Sequence, residues 1–216
     1  MNLTLLGLPG AGKGTQAKKI SQDYNLPHIA TGDIFRILIE KGTPIGNRAD
    51  KFIKAGKLVP DKDAIKVLKR EISRRDISSG FVLDGFPRTL YQARFLTEML
   101  EDIDSHLDKV FYIKVNPDEL VQRVAGRRVC LCCGATYHIF YNPSAKEGIC
   151  DVCGKELIQR DDDQEDTIRK RISIHSKVLD QILQYYKKQE ILRTIAGKDI
   201  DDIYIKIKMA IEVEII

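Results

Sequence analysis

No stretch of this 216-residue chain approaches the roughly 18 apolar residues of a membrane span, so no membrane partner is expected. The opening run Leu3-Thr4-Leu5-Leu6 is too short for the apolar region of a secretory leader and leads straight into a glycine-rich segment, so a cytoplasmic location is expected. Charge of one sign is scarce as well. Lysine and arginine number 35 against 31 aspartates and glutamates, a net charge of +4, too small to argue for nucleic acid. Cysteine is confined to five residues between 130 and 153, and in a reducing compartment these need a reading other than disulfides. No Ser/His/Asp or Cys/His arrangement stands out, and His28, His106, His138 and His175 lie in no motif. Repeats and low-complexity tracts are absent too. What remains is enough chain for one well-filled core with room for a small insertion.

The most informative stretch present is Gly7-Leu8-Pro9-Gly10-Ala11-Gly12-Lys13-Gly14-Thr15. It follows a short apolar strand and precedes a helical pattern with Ala17, Ile20 and Tyr24 inward. Strand, glycine loop and helix form a phosphate cradle: backbone N–H groups turn toward phosphate oxygens, the helix start adds positive potential, and Lys13 reaches the terminal phosphates. The hydroxyl of the usual pattern arrives one place late, at Thr15, because Gly14 follows the lysine.

Further strands are expected at Leu26–Ala30, Phe81–Asp84, Val110–Ile113 and Ile191–Ala196, alternating with helices. Thr43-Pro44 and Asn116-Pro117 read as caps followed by proline at the first helical position. The helix from Asn116 is expected to run into Arg123-Val124-Ala125-Gly126-Arg127-Arg128. The last segment, from Ile200, fits a helix with Asp201 and Asp202 in its first turn. The pattern predicts an α/β fold, a doubly wound parallel sheet of five strands flanked by helices. Two inserts interrupt the core of 1–30, 60–126 and 164–216: a small helical unit at 31–59 and a cysteine-rich unit at 127–163.

Cys130-x2-Cys133 and Cys150-x2-Cys153, sixteen residues apart and each followed by glycine, have the spacing of tetrahedral zinc coordination; a pair of redox dithiols or buried cysteines is the other reading. Cys132 is left over. Tyr137, Phe140 and Tyr141 are expected to pack this small unit. Asp84, ending a buried strand, is placed to hold magnesium or its water shell. Arg36, Arg88, Arg123, Arg127, Arg160 and Arg171 recur at strand ends and insert edges, where planar forks suit phosphate oxygens. His175 falls on the apolar stripe of a long helix from Gln164 and is expected as a packed core histidine. The missing general base is informative. An acceptor that is itself a phosphate is largely ionised near pH 7, its second pKa being about 6, so positioning, charge neutralisation and exclusion of water suffice. A zinc-ribbon nucleic-acid-dependent NTPase is the alternative from another class, disfavoured because Asp161-Asp162-Asp163 would repel a phosphate backbone.

These residues resemble the adenylate kinases of the bacterial type with a zinc-bearing lid. The resemblance covers nearly the whole chain and rests on Gly7 to Thr15, Thr31-Gly32-Asp33 with Arg36, Lys57-Leu58-Val59, Asp84-Gly85-Phe86-Pro87-Arg88 with Gln92, Gly126-Arg127-Arg128, the four paired cysteines, and Arg160-Asp161-Asp162-Asp163 leading to Arg171. A glycine after the lysine is normal in that family. The resemblance implies reversible phosphoryl transfer from Mg-ATP to AMP, giving two ADP, by a monomer with a structural Zn²⁺. It implies that Gly10, Ala11, Gly12, Lys13, Gly14, Thr15, Arg123, Arg127, Thr136, Tyr137 and Lys198 contact ATP. AMP would be held by Thr31, Gly32, Arg36, Lys57, Leu58, Val59, Gly85, Phe86, Pro87, Arg88 and Gln92, with Arg160 and Arg171 clamping phosphates. Lys13, Asp84 and the six arginines would carry the catalysis. A kinase for another base, or one using GTP, fits the same spacing.

Overall fold

The apolar runs near residues 3, 29, 82, 111 and 193 lie side by side. A computed structural model describes residues 1–213; the end of the 164–216 segment lies outside the described residues. In chain order the elements are β1 (Asn2–Leu6), α1 (Lys13–Asp23), β2 (His28–Ala30), α2 (Thr31–Glu40), α3 (Pro44–Lys54), α4 (Asp61–Arg74), β3 (Phe81–Asp84), α5 (Leu90–Glu101), β4 (Lys109–Ile113), α6 (Pro117–Ala125), β5 (Arg127–Cys130), β6 (Thr136–His138), β7 (Leu157–Ile158), a 3₁₀ turn (Asp161–Asp163), α7 (Glu165–Lys188), β8 (Leu192–Ile195) and α8 (Ile200–Glu212). Five strands form one sheet in the order β2-β3-β1-β4-β8, every pairing parallel. All five residues of β1 are buried, as a strand covered by helices on both faces requires.

The caps act as their chemistry demands. Thr43 Oγ1 accepts from the Gly46 N–H at 3.1 Å, and Asn116 Oδ1 accepts from the Asp118 N–H at 3.1 Å, each with proline at the first helical position. Asp199 Oδ1 accepts from the N–H groups of Asp201 and Asp202 and starts α8, burying Ile203, Ile207 and Ile211. The helix of Asn116 does not continue to Arg128. It ends at Ala125, and Arg127–Cys130 is already a strand, because Gly126 leaves no side chain between the helix end and the ring of His138.

β1 sits between β3 and β4, so the chain winds first to one side of it and then to the other. In open sheets of this kind the crevice at the carboxyl ends of the strands is the ligand position. Two smaller units border that crevice: the α2–α3 pair, and an antiparallel sheet of order β6-β5-β7. No helix among the described residues is long and apolar enough to cross a membrane.

Candidate functional site

Between the strand ends and the two smaller units lies a cleft of about 720 Å³, within the size range of small-molecule sites. The phosphate loop forms its floor. Gly10 has φ +87°, and a Cβ there would lie 2.6 Å from Val124 Cγ2, so only glycine lets the loop pass under α6. At Gly14, where the usual pattern has a hydroxyl, a Cβ would come within 3.1 Å of Asp84 Oδ2, a tight approach. Lys13 Nζ donates to the carbonyls of Gly7 at 2.9 Å and Leu8 at 3.0 Å. Burial pulls this lysine down to about 8, with the Asp84 charge acting in the other direction. Burial also opposes ionisation of Asp84, but His28, whose ring lies 3.8 Å away, and Lys13 hold its carboxyl below the usual carboxylate range.

Arg88 projects from the segment after β3. Its Nε donates to the Gly85 carbonyl at 2.7 Å, and its backbone N–H donates to Gln92 Oε1 at 2.8 Å. Thr31 Oγ1 donates to the same carbonyl at 3.0 Å. Asp61 Oδ1 accepts from Gln92 Nε2 at 2.7 Å and from Thr89 Oγ1 at 3.0 Å, fixing the start of α5.

The remaining arginines meet carboxylates. Arg127 grips the fully buried Asp163 with both fork nitrogens, at 2.8 and 2.5 Å. Asp162 Oδ2 is shared by Arg36 at 2.9 Å and Arg171 at 2.7 Å, while Arg160 reaches Asp33 at 3.0 Å. Burial opposes the Asp162 charge, yet this ring of guanidiniums keeps its carboxyl below the usual range. Burial, reinforced by neighbouring cations, lowers Arg160 to about 10, and burial does the same to Arg171, to about 10. So many buried cations around one cavity call for an anionic ligand. Arg123 pairs with Glu119 one turn away, at 3.2 Å.

Nearly all the residues singled out in the sequence line this cleft: Gly10 to Thr15, Thr31, Gly32, Arg36, Lys57, Val59, Asp84, Gly85, Phe86, Arg88, Gln92, Arg123, Arg127, Thr136, Tyr137, Arg160, Arg171 and Lys198. Leu58 and Pro87 do not. Pro87 faces a second, smaller cavity behind the loop, and Leu58 turns away between two cleft-lining neighbours as an extended segment dictates. His175 is not a core residue. It borders both cavities, because at this level the inward face of α7 meets the phosphate loop. Asp162 and Asp163 are not a repulsive surface run, since both are buried against arginines and only Asp161 is exposed. Of the three aromatics expected to pack the small sheet, Tyr137 is buried, whereas Phe140 and Tyr141 are 79% and 69% exposed on a turn. Asp33, Asp61, Asp162 and Asp163 escaped sequence reasoning as site residues. For Asp33, Asp162 and Asp163 the one available signal was nearness in the chain to Arg36 and Arg160; Asp61 carried none.

Cys130, Cys133, Cys150 and Cys153 bring four sulfurs within 4.8 Å of one another. Burial raises the Cys150 thiol, but the Tyr137 hydroxyl and the backbone N–H groups of Cys153 and Val152 bring it down to about 6. Cys153 goes the other way. The Lys155 N–H favours its thiolate, yet the hydrogen bond with the Cys130 sulfur pushes it up to about 12. Four thiolates so close need a cation between them, and the all-sulfur tetrahedral set is what zinc takes. The spare Cys132 points outward and is exposed.

The family model described as adenylate kinase matches residues 5–191. The chain is 50% identical over 203 residues to the adenylate kinase of Acetivibrio thermocellus, covering 94% of each chain. It is 50% identical over 210 residues to that of Limosilactobacillus fermentum, covering 96% of this chain and 97% of that one. With the enzyme of Exiguobacterium sibiricum it shares 47% identity over 205 residues, 94% of this chain and 95% of the relative.

Proposed function

This chain belongs to the adenylate kinase family and interconverts ATP and AMP with two ADP, and from that premise we propose how its residues divide the work. The observation that carries the reading is the convergence of Lys13, Arg36, Arg88, Arg127, Arg160 and Arg171 on one cleft floored by the phosphate loop. The loop from Gly10 to Thr15, with Arg123, Arg127, Thr136, Tyr137 and Lys198, holds ATP. Thr31, Gly32, Arg36, Lys57, Val59, Gly85, Phe86, Arg88 and Gln92 hold AMP, and Arg160 and Arg171 clamp the phosphates between them. Residues 31–59 are the AMP-binding insert and 127–163 the lid, around the core of 1–30, 60–126 and 164–216.

The AMP phosphate attacks as an ionised oxygen, so no side chain needs to remove a proton. The γ-phosphoryl group crosses between in-line oxygens while Lys13 and the guanidinium forks stabilise charge on its equatorial oxygens. The carboxylates of Asp33, Asp162 and Asp163 hold the forks in place and yield to phosphate oxygens as substrates arrive. The two inserts exclude water, which would otherwise take the phosphoryl group. Asp84 and Thr15 are the oxygens that would hold Mg²⁺ brought with ATP, which would neutralise phosphate charge there. Cys130, Cys133, Cys150 and Cys153 hold a structural Zn²⁺. As the resemblance to the family implies, the chain works as a cytoplasmic monomer without a nucleic-acid partner.

Initial rates with Mg-ATP and AMP, GMP, CMP, UMP or no acceptor test the reading, run also on Arg88→Lys. Product is expected from AMP alone. A point charge in place of the fork is expected to lower kcat/KM for AMP by at least about tenfold with KM for ATP unchanged. Phosphate release without acceptor, preference for another monophosphate, or equal loss toward both substrates overturns it.

A further inference from the structure

His175 faces the phosphate loop, and the reaction leaves it without a task. It stands on α7 one turn beyond Arg171 and borders the main cleft and the cavity of about 60 Å³ behind the loop. The charged groups lining that smaller cavity with it are Lys13 from the loop, Arg88 from the segment after β3, and Arg171 from its own helix. The rest of the wall is backbone and apolar side chains such as Leu8, Pro87 and Leu179. Burial first, then these three cations, hold the imidazole well below the ordinary histidine range. In the free protein the ring is therefore neutral at physiological pH.

Nucleotide phosphates change the sign of its surroundings. They bring several negative charges against the three cations that disfavour the imidazolium, and a nearby opposite charge favours the protonated ring. We propose that His175 takes up a proton from solvent when nucleotide phosphates bind against Lys13, Arg88 and Arg171, so that nucleotide affinity is linked to pH through this residue. The proposal rests on the reading that substrate phosphates occupy that position. The proton comes from bulk water, and no covalent bond to nucleotide changes. A full proton bound with the ligand strengthens binding up to tenfold for each unit that pH falls, relative to a chain lacking the group.

The test follows the ring Cε1–H signals of the four histidines by NMR, His175 being assigned by the loss of its signal in His175→Gln. Spectra are recorded from pH 5 to 8 for the free protein and with Mg²⁺, AMP and a β,γ-imido analogue of ATP, which binds without turnover. The His175 signal is expected at its neutral position in the free protein and displaced to the imidazolium position in the complex near pH 6. Calorimetry in two buffers of different ionisation heat is expected to show more proton uptake by the unsubstituted chain than by His175→Gln. Binding that leaves the His175 signal unmoved, or equal proton uptake by both chains, overturns the proposal. Absence of any binding heat overturns the phosphate-site reading beneath it, and the proposal with it.

Discussion

The five-stranded sheet and the three-stranded sheet of the lid are built by the same chain on different physics. The first is held by one contiguous apolar cluster that includes Leu3, Leu5, Phe81, Phe111, Leu96 and Tyr186. The second has a buried cluster of Cys130, Tyr137, Cys150 and Leu157, half of it sulfur. A unit that small cannot offset the conformational entropy of ordering some thirty residues by apolar burial. A cation held by the four sulfurs would supply the closure instead, on the order of 10 kcal/mol where folding and binding are coupled. The contrast sets a phosphate loop seated on a large apolar core beside a small unit with almost no apolar core of its own. The floor is locked by packing, whereas the small sheet meets the rest through polar contacts such as Arg160 to Asp33 and Lys18 to the Gly134 carbonyl.

Cys150→Ser should break this contrast most severely. Removing one sulfur from the set forfeits most of the metal-linked stabilisation, so bound zinc should fall and limited proteolysis should open the chain between 131 and 159. The melting transition of the main sheet should shift little, because none of its apolar cluster touches the sulfurs. Turnover should drop as water reaches the phosphates. Zinc content and protease resistance equal to those of the parent would mean that the lid is not stapled by metal.

The two regions were also unequally legible in the sequence. The five strands, the caps at Thr43 and Asn116 and the cysteine spacing are local signals, each set by a few neighbouring residues. The lid's secondary structure was not, since short antiparallel strands around a metal leave no periodicity. In the cleft, the cations could be read one by one, but their carboxylate partners could not. Asp162 beside Arg36 and Asp33 beside Arg160 are pairings between residues more than a hundred positions apart. His175 misled for a related reason. Helical periodicity says which face turns inward, not whether core or cleft lies there.

Lys13→Ala sharpens the comparison from the rigid side, with a smaller effect confined to chemistry. Losing one preorganised charge at the transferring group should lower kcat by about 10²- to 10³-fold. Zinc content should stay the same. Stability at pH 7 should be equal or higher, because a buried lysine lowered to about 8 is costly to keep charged. The sign with pH follows. Between about 8 and the ordinary 10.5 the unfolded chain binds more protons at this position than the folded one. Lys13 therefore makes stability rise with pH across that window while affinity for phosphate falls. Calorimetric melts of parent and variant from pH 7 to 10 should show that rise in the parent only; near-normal turnover in the variant would end the assignment of the loop.

Phe140→Ser should do least, and for that reason it probes the lid's construction. An aromatic ring in a unit of this size invites the reading that it packs the interior. Yet Phe140 is 79% exposed on the turn after β6, beside His138 with ring centroids 6.2 Å apart. Burial that incomplete contributes little, so the change should lie within about 0.5 kcal/mol for lid or whole-chain stability. Zinc retention under a chelator gradient and the melting curve of the parent and variant measure it. A large loss would show that the lid does rely on apolar contacts as the main sheet does, the ring then folding inward in solution. An unchanged curve leaves the four sulfurs and Tyr137 as the means by which this unit stays folded over the phosphate loop.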